Sequence, residues 1–422
     1  MQYQNNDVHV CEMCSTSAEN LLDNIDIINH FQPIISNINN SIGGFESLCR
    51  GVCKSCERLI PPFELFKLLK NENDLLEVDT RARTNAIKIF DKLLTKKPNY
   101  LLFLNFDAKL IEQKIENINA LVELCKNTNV SSQNIVIEIT ELNPCRLEIL
   151  TEFVDECRQQ GFLIALDDVG TGHSNFDRIS TIKPDIIKLD RSIVSGLDKN
   201  YQKKVIFRSM SRLATQLGAL LLAEGVEEEG EVIYSLELGA DLQQGFYFAK
   251  PAEINDENML DVQTKINHIG NIFKEYKTAR INDLKKKYSR YDFLVTRISK
   301  LLSLAQKDEF DSILNSYVNE FETLESLYVI DANGMQFTDT HMSNLSCKTK
   351  PTIFKVFKKG DYHGFKDYFY LLHNEVYEKF TTNGYLSFIT GNLCKTISMR
   401  FFNTNNEEFI LCMNIIEEEQ AL

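Results

Sequence analysis

Six short apolar runs, separated by amphipathic stretches, constrain the fold of this chain more than any other feature. The runs are 100–106, 134–139, 162–168, 185–190, 219–226 and 242–248. Most are apolar on both faces, which is typical of strands buried in a parallel sheet. The intervening stretches, such as 146–160 and 202–217, carry apolar residues at helical spacing. This alternation predicts successive βα units.

A hairpin signal precedes the series. Two further runs, 31–38 and 41–48, are joined by Asn39 and Asn40, which are residues that favour tight turns. At least one antiparallel strand therefore pairs near the start of the domain. Together the runs suffice for a barrel of the TIM type, for which about 250 residues is the usual length. We predict an α/β fold, a (β/α)8 barrel with an antiparallel strand near its start.

The composition changes after Pro251. Residues 255–302 have no strand-like runs, and their pattern predicts a long helix that serves as a linker. Strand patterns return after this helix and include a hairpin signal within 397–416. The predicted organisation is an N-terminal tail with a CxxC motif (1–20), the barrel (21–254), a helical linker (255–302) and a smaller α+β domain (303–422).

Charge and hydropathy exclude several classes of partner. The net charge of -14 argues against binding to DNA or RNA polymers, which require positive protein surface. No uninterrupted apolar stretch reaches the roughly 18 residues that span a bilayer, and the first residues lack the pattern of a secretory signal. We expect a cytoplasmic protein without a membrane span.

The chain has 11 cysteines, and four of them form two CxxC pairs. Two such pairs can provide the tetrahedral thiolate set of a structural Zn²⁺ site. Four ordinary reduced cysteines, or a redox-active pair, are the alternatives. The candidate zinc ligands are Cys11, Cys14, Cys53 and Cys56.

Polar residues fall at or near the ends of the apolar runs, between 20 and 36 residues apart when Asp167 stands for the adjacent pair. They are Asn105, Glu138, Asp167, Asp168, Lys188, Glu224 and Gln244. In a βα barrel the C-terminal strand ends converge on the mouth, where active sites are built. Burial of several carboxylates together, with Glu46 among them, requires compensating positive charge. An all-oxygen donor set suits Mg²⁺ or Mn²⁺, and Lys188 and Arg50 add further positive charge.

Eight short motifs in register resemble those of the EAL phosphodiesterase family and cover roughly 22–251. They are FQPI at 31–34, GFESLCR at 44–50, LN at 104–105, EITE at 138–141, DDVGTG at 167–172, KLD at 188–190, AEGVE at 223–227 and QQG at 243–245. The resemblance implies an enzyme, a phosphoric diester hydrolase that converts cyclic di-GMP into linear pGpG with two bound divalent cations.

The resemblance also implies roles for individual residues. Metal ligands are Glu46, Asn105, Glu138, Asp167, Asp168 and Glu224. Lys188 orients the attacking water or polarises the scissile phosphate, and Glu141 anchors the loop after Asp168. Arg50, Gln32 and Gln244 lie against the substrate. Glu46, Lys188, Glu224 and Glu141 are the residues assigned to catalysis.

Three hypotheses of function remain, and the phosphodiesterase is the first. One residue departs from the family pattern in the loop that carries Asp168, where Val169 stands in place of Phe. The alternative is therefore a catalytically weak or inactive receptor, which binds cyclic di-GMP and signals through a protein partner. A hydrolase of another phosphodiester is a third option. The residues 327–334 and 368–370 resemble a PAS/Cache-like sensory domain, which implies regulation, a homodimer and an unidentified ligand.

Overall fold

The computed structural model describes residues 21–69, 71–95, 97, 99–112, 118–140, 146–171, 176–343, 356–373 and 377–417. The chain forms two compact units, Met1–Glu275 and Tyr276–Leu422. Among the described residues, no helix is both long enough and apolar enough to cross a membrane.

The first unit is a closed barrel of eight strands with helices between them. Its strands are β1 (Ile25–Ser36), β2 (Ser41–Cys53), β3 (Leu59–Ile60), β4 (Leu101–Phe106), β5 (Ile135–Thr140), β6 (Leu163–Val169), β7 (Ile186–Leu189), β8 (Leu220–Glu224) and β9 (Leu242–Gln244). The strand order is β1-β9-β8-β7-β6-β5-β4-β2, and pairing of β2 with β1 closes the ring, while the short β3 extends the edge of β2.

The antiparallel strand predicted near the start of the barrel is confirmed. Strand β1 runs antiparallel to both β2 and β9, and every other neighbouring pair in the ring is parallel. The last predicted strand is shorter than its apolar run, because Gly245–Phe248 folds into a turn in which Phe248 N–H donates to Gly245 O. Gln244 therefore ends its strand.

Helices follow most of the strands. They are α1 (Pro62–Leu68), α2 (Glu72–Leu94), α3 (Ala108–Glu112), α4 (Ile118–Lys126), α5 (Leu147–Gln159), α6 (Phe176–Ile182), α7 (Arg191–Val194), α8 (Tyr201–Leu217) and α9 (Glu229–Leu238). Local sequence fixes their ends: the Asn200 side chain accepts from Lys203 N–H at the start of α8, and Gly218 ends it with φ of 74°.

One layer of apolar side chains fills the barrel interior. Each is buried, and the layer draws one residue from each of seven strands, with two half-buried leucines packed against it. The members are Ile34, Phe103, Val136, Ala165, Ile186, Leu222 and Leu242. Burial of this layer fixes the inward face of each strand, and so fixes which residues can face the mouth above it.

The second unit is a six-stranded antiparallel sheet with helices. Its elements are β10 (Leu324–Asp331), β11 (His341–Met342), β12 (Lys379–Thr381), β13 (Tyr385–Leu386), β14 (Leu393–Phe402) and β15 (Glu408–Ile416), with α11 (Phe310–Tyr317) and α12 (Asp367–His373). The order is β11-β10-β15-β14-β12, and β13 pairs with β14. A smaller α+β unit at the C-terminus is thus confirmed, and the hairpin signal within 397–416 is the β14–β15 pair.

A single helix, α10, spans Asp256–Leu304. Its last turns belong to the second unit, where Leu294, Val295, Ile298 and Leu302 are buried in the core formed with α11 and the sheet. This helix occupies the stretch for which a linker was predicted, while the domain boundaries themselves stay predictions.

Candidate active site

The barrel brings the predicted polar residues together because their strands pair in matched register. Asn105 lies opposite Glu138 across β4 and β5, and Glu224 lies opposite Gln244 across β8 and β9. On the antiparallel side, Gln32 of β1 pairs with Glu46 of β2. The side chains therefore converge at one end of the barrel from all eight strands of the ring.

Lys188 occupies the centre of this site. Its side chain is fully buried, and Nζ lies 2.7 Å from Glu138 Oε1 and 2.9 Å from Asp167 Oδ1. Two further carboxylate oxygens are near: Glu224 Oε2 at 3.6 Å and Glu46 Oε2 at 3.8 Å. One ammonium group thus faces four carboxylates, so negative charge exceeds positive charge at the site.

Amide side chains orient Glu46. Gln244 Nε2 donates to Glu46 Oε2 at 2.6 Å and also lies 3.2 Å from Gln32 Oε1. Asn105 Nδ2 donates to the other oxygen, Glu46 Oε1, at 3.2 Å. Gln32 in turn donates to the carbonyl of Ala249 at 3.1 Å. The carboxylate is therefore held on both oxygens by neutral donors, which fixes its direction without cancelling its charge.

A bulge allows the adjacent pair Asp167 and Asp168 to serve one site. The pairing register of β6 with β7 shifts between Leu166 and Val169, and Asp168 adopts a left-handed φ of 58°. Successive residues of a regular strand point to opposite faces, but this bulge brings both carboxylates to the mouth. One oxygen from each of Asp167, Asp168 and Glu224 lies within 4.8 Å of the others.

Burial and neighbouring charges shift the pKa values of the acids. Burial raises the pKa of Glu138, and the charges of Glu46 and Asp167 raise it further against the opposing effect of Lys188. Burial likewise raises the pKa of Glu224 to about 8 and that of Asp168 to about 6. Burial alone would lower the pKa of Lys188, but the surrounding carboxylates raise it well above its ordinary value.

These residues fit divalent cations with oxygen ligands. Oε2 of Glu138 and Oε2 of Glu224 are buried without a hydrogen-bond partner among the described residues, and the single ammonium of Lys188 is shared among four carboxylates. Buried carboxylate oxygens in this state are costly unless a cation compensates them. The acids and Asn105 offer the hard oxygen donors that Mg²⁺ and Mn²⁺ prefer.

Some predicted residues lie apart from this cluster. Arg50, half-buried on β2, donates from Nη1 to the carbonyl of Cys49 at 2.8 Å, and the structure does not bring it into contact with the acids. Glu141 lies outside the described residues, as do Cys11 and Cys14. Cys53 is buried at the end of β2, and Cys56 is exposed in the turn that follows.

A cavity of about 320 Å³ adjoins the acids, and three charged residues that line it, Asp79, Arg83 and Asp107, were missed from the sequence. It is lined by Glu46 and Asn105 on the site side, and by Asp79, Arg83 and Phe66 from α1 and α2. Asp79 and Arg83 are four residues apart, so they lie on one face of a helix. That spacing of opposite charges was a signal in the sequence, although it did not indicate which end of the barrel the face meets.

Similar proteins share this architecture. The uncharacterized EAL-domain containing protein YkuI of Bacillus subtilis is 27% identical over 327 residues, which are 75% of this chain and 78% of YkuI. The crystal structure of YkuI with c-di-GMP and calcium superposes with a TM-score of 0.76 at 21% identity, covering 93% of this chain and 97% of that one. At this identity the superposition supports the fold.

Curated relatives with a stated activity match over shorter segments. The cyclic di-GMP phosphodiesterase PdeA of Borreliella burgdorferi is 29% identical over 196 residues, which are 46% of this chain and 29% of PdeA. The probable cyclic di-GMP phosphodiesterase PdeG of Escherichia coli is 27% identical over 241 residues, or 56% of this chain and 46% of PdeG. The chain thus spans less than half the length of these two relatives. The EAL domain model itself matches residues 16–251, more than half of the chain, and the protein belongs to the EAL domain family.

Proposed function

We propose that the protein hydrolyses cyclic di-GMP to linear pGpG with Mg²⁺ or Mn²⁺. The observation that carries this proposal is the convergence of four carboxylates on Lys188 at the mouth of the barrel, at distances of 2.7 to 3.8 Å. Relatives that share the domain include proteins described as cyclic di-GMP phosphodiesterases.

The proposed metal ligands are the residues identified above: Glu46, Asn105, Glu138, Asp167, Asp168 and Glu224. Two bound cations would supply an acidified water and positive charge on the phosphate. In the hydrolysis, a bond forms between the water oxygen and phosphorus while the bond from phosphorus to the ribose 3′-oxygen breaks, and one proton of the water passes to that oxygen, which leaves as the 3′-hydroxyl. Lys188 stays protonated because its pKa is raised, so its ammonium offers positive charge where negative charge develops.

Substrate binding is assigned to the rim. Gln32 and Gln244, joined by their side-chain contact of 3.2 Å, lie beside Glu46, and Arg50 supplies positive charge for a substrate phosphate. We propose that the cavity lined by Asp79 and Phe66 accepts a guanine base, because a carboxylate can accept from the N–H groups of guanine and an aromatic ring can stack on it. Replacement Asp79→Asn should then raise KM for cyclic di-GMP more than it lowers kcat.

The decisive experiment measures pGpG release from cyclic di-GMP with Mg²⁺ or Mn²⁺. We compare the wild type with Glu46→Gln, which keeps the size of the side chain and removes its charge, and with Glu156→Gln on the exposed face of α5 as a matched control. Release that only Glu46→Gln abolishes supports the proposal. Binding of cyclic di-GMP without release would favour the receptor alternative, and release from another phosphodiester alone would overturn the substrate assignment.

The residue most relevant to that alternative is Val169. It is buried, and its carbonyl accepts from Asp190 N–H at 3.1 Å. The valine side chain is therefore packed in the interior, and the backbone of Val169 is bonded to the residue before α7. Replacement Val169→Phe tests whether the family residue raises turnover.

We propose a separate zinc site at the cysteines, in addition to the two cations at the acids. Cys53 and Cys56 flank a tight turn in which Glu57 N–H donates to Cys53 O, and Cys11 and Cys14 would complete a Zn²⁺ site. Zinc measured per chain by mass spectrometry should fall in Cys53→Ser/Cys56→Ser and stay unchanged in Cys125→Ser. Equal zinc contents, or none in the wild type, would contradict this proposal.

We propose that the second unit is a PAS/Cache-like sensory domain that regulates the barrel within a homodimer. Its support is a compact unit with its own core and antiparallel sheet; its ligand is unknown. Light scattering with Mn²⁺ and cyclic di-GMP present should give the mass of two chains, and a monomer would contradict the dimer.

A further inference from the structure

The short helix α7 begins three residues after Lys188 and contacts the residues that follow Asp168 and Glu224. Asp190 caps it, because the Asp190 carboxylate accepts from Ser192 N–H at 2.8 Å. The backbone N–H of Asp190 donates to Val169 O at 3.1 Å. The start of α7 is therefore bonded to the end of β6, one residue beyond Asp168.

Arg191 joins α7 to the residues that follow Glu224. Its Nη1 donates to the carbonyl of Gly225 at 2.5 Å, and its Nη2 lies 2.7 Å from Glu227 Oε2. Gly225 has φ of 73°, and a Cβ there would lie 2.8 Å from Arg191 Cβ. The backbone directly after Glu224 is thus packed against Arg191 and bonded to it.

Ile193 makes the matching contact on the other side. Gly170 has φ of 111°, and a Cβ there would lie 2.3 Å from Ile193 Cδ1. Gly170 is two residues beyond Asp168, so side chains on two different faces of α7 leave no room for a Cβ at Gly170 or at Gly225. The same four-residue helix therefore packs against Gly170, after Asp168, and against Gly225, after Glu224.

We infer that Arg191 is a positioning residue that holds Glu224 within reach of Asp167 and Asp168, so that the three can share one divalent cation. This inference rests on the proposed function, since it names a device for the same metal site. The three carboxylates already come within 4.8 Å of one another. Arg191 and Glu227 are each about 40% exposed, and an isolated pair of that kind contributes little to stability. The effect of Arg191 should therefore be seen in metal affinity.

The variant Arg191→Met removes both polar contacts and keeps an unbranched side chain against Gly225, while Arg191→Lys retains the charge. Lys199→Met is the matched control, because Lys199 pairs with Glu228 in the same loop at 3.1 Å and is 70% exposed. The probe is Mn²⁺ alone, titrated calorimetrically into the metal-free full chain, and thermal unfolding without metal checks that each variant is folded.

We expect Mn²⁺ affinity to fall about 10- to 100-fold in Arg191→Met, the range for residues that orient metal ligands. It should recover in part in Arg191→Lys and stay at the wild-type value in Lys199→Met. Equal affinities in wild type and Arg191→Met, or an equal loss in Lys199→Met, would overturn the inference, as would a wild type that does not bind Mn²⁺. A wild type that binds Mn²⁺ but releases no pGpG fails the proposed function and leaves this test of Arg191 intact.

Discussion

Removal of the central ammonium group by Lys188→Met gives a direct test of the charge balance at the site. The side chain is fully buried, and two carboxylate oxygens lie within 2.9 Å of Nζ. Methionine has a similar length, so the variant removes a charge and leaves little space. In the metal-free protein, Glu138 then loses the partner that opposes its burial.

The size of the effect follows from the burial of the pair. Loss of one partner of a buried ion pair costs about 3–5 kcal/mol. Glu138 can reduce this cost by binding a proton, because its pKa is already raised. Above the ordinary pKa of a glutamate, Glu138 is then protonated in the folded variant and ionised in the unfolded chain. The free energy of unfolding therefore falls with rising pH, by up to about 1.4 kcal/mol per pH unit for this one proton. The fall ends above the folded-state pKa.

The assay is urea unfolding of the metal-free chain, followed by far-UV circular dichroism because the protein has no Trp. Lys88→Met, on the exposed face of α2, is the matched control. We expect Lys188→Met to lose several kcal/mol relative to this control, with a larger loss at about pH 8 than at about pH 6. A loss below about 1 kcal/mol at both pH values would show that the ammonium does not compensate the carboxylates.

Three further predictions concern metal binding, a buried histidine and a tightly packed glycine. The pKa values of Glu224 and Asp168 are raised to about 8 and about 6, so Mn²⁺ that binds there must displace protons. Calorimetry in two buffers should show that Mn²⁺ affinity rises with pH and that fewer protons are released per bound ion at high pH. Burial lowers the pKa of His363 from its ordinary value of 6.5 to about 4. The stability that the neutral imidazole contributes is therefore fully present above pH 6.5 and falls as the pH drops toward 4. In His363→Gln the midpoint of urea unfolding should lose this pH dependence. In Gly44→Ala the new Cβ would lie 2.4 Å from Leu101 O, so urea unfolding should show a loss of about 1–3 kcal/mol, and wild-type stability would contradict this.

Much of the site was predictable because a parallel barrel converts sequence spacing into position. A residue that ends a buried strand must lie at the mouth, so Glu138, Lys188 and Glu224 could be placed from their apolar runs alone. The layer of Ile34, Phe103 and their neighbours below the site shows why: burial of one face fixes the other positions of each strand.

The distances within the site could not be predicted in this way, because they depend on backbone geometry that no single residue type specifies. The bulge at Asp167 and Asp168 requires a left-handed φ at Asp168. Non-glycine residues seldom adopt this conformation, so the sequence does not predict it.

The contacts that set these distances often join a side chain to a backbone group far along the chain. Arg191 donates to the carbonyl of Gly225, a partner 34 residues away, and every residue type offers a carbonyl. Two glycines give a local signal, since Gly170 and Gly225 follow the proposed ligands Asp168 and Glu224 within two residues and both have positive φ. A glycine close to a proposed metal ligand therefore predicts close packing by some other element, but only the structure identifies that element as α7.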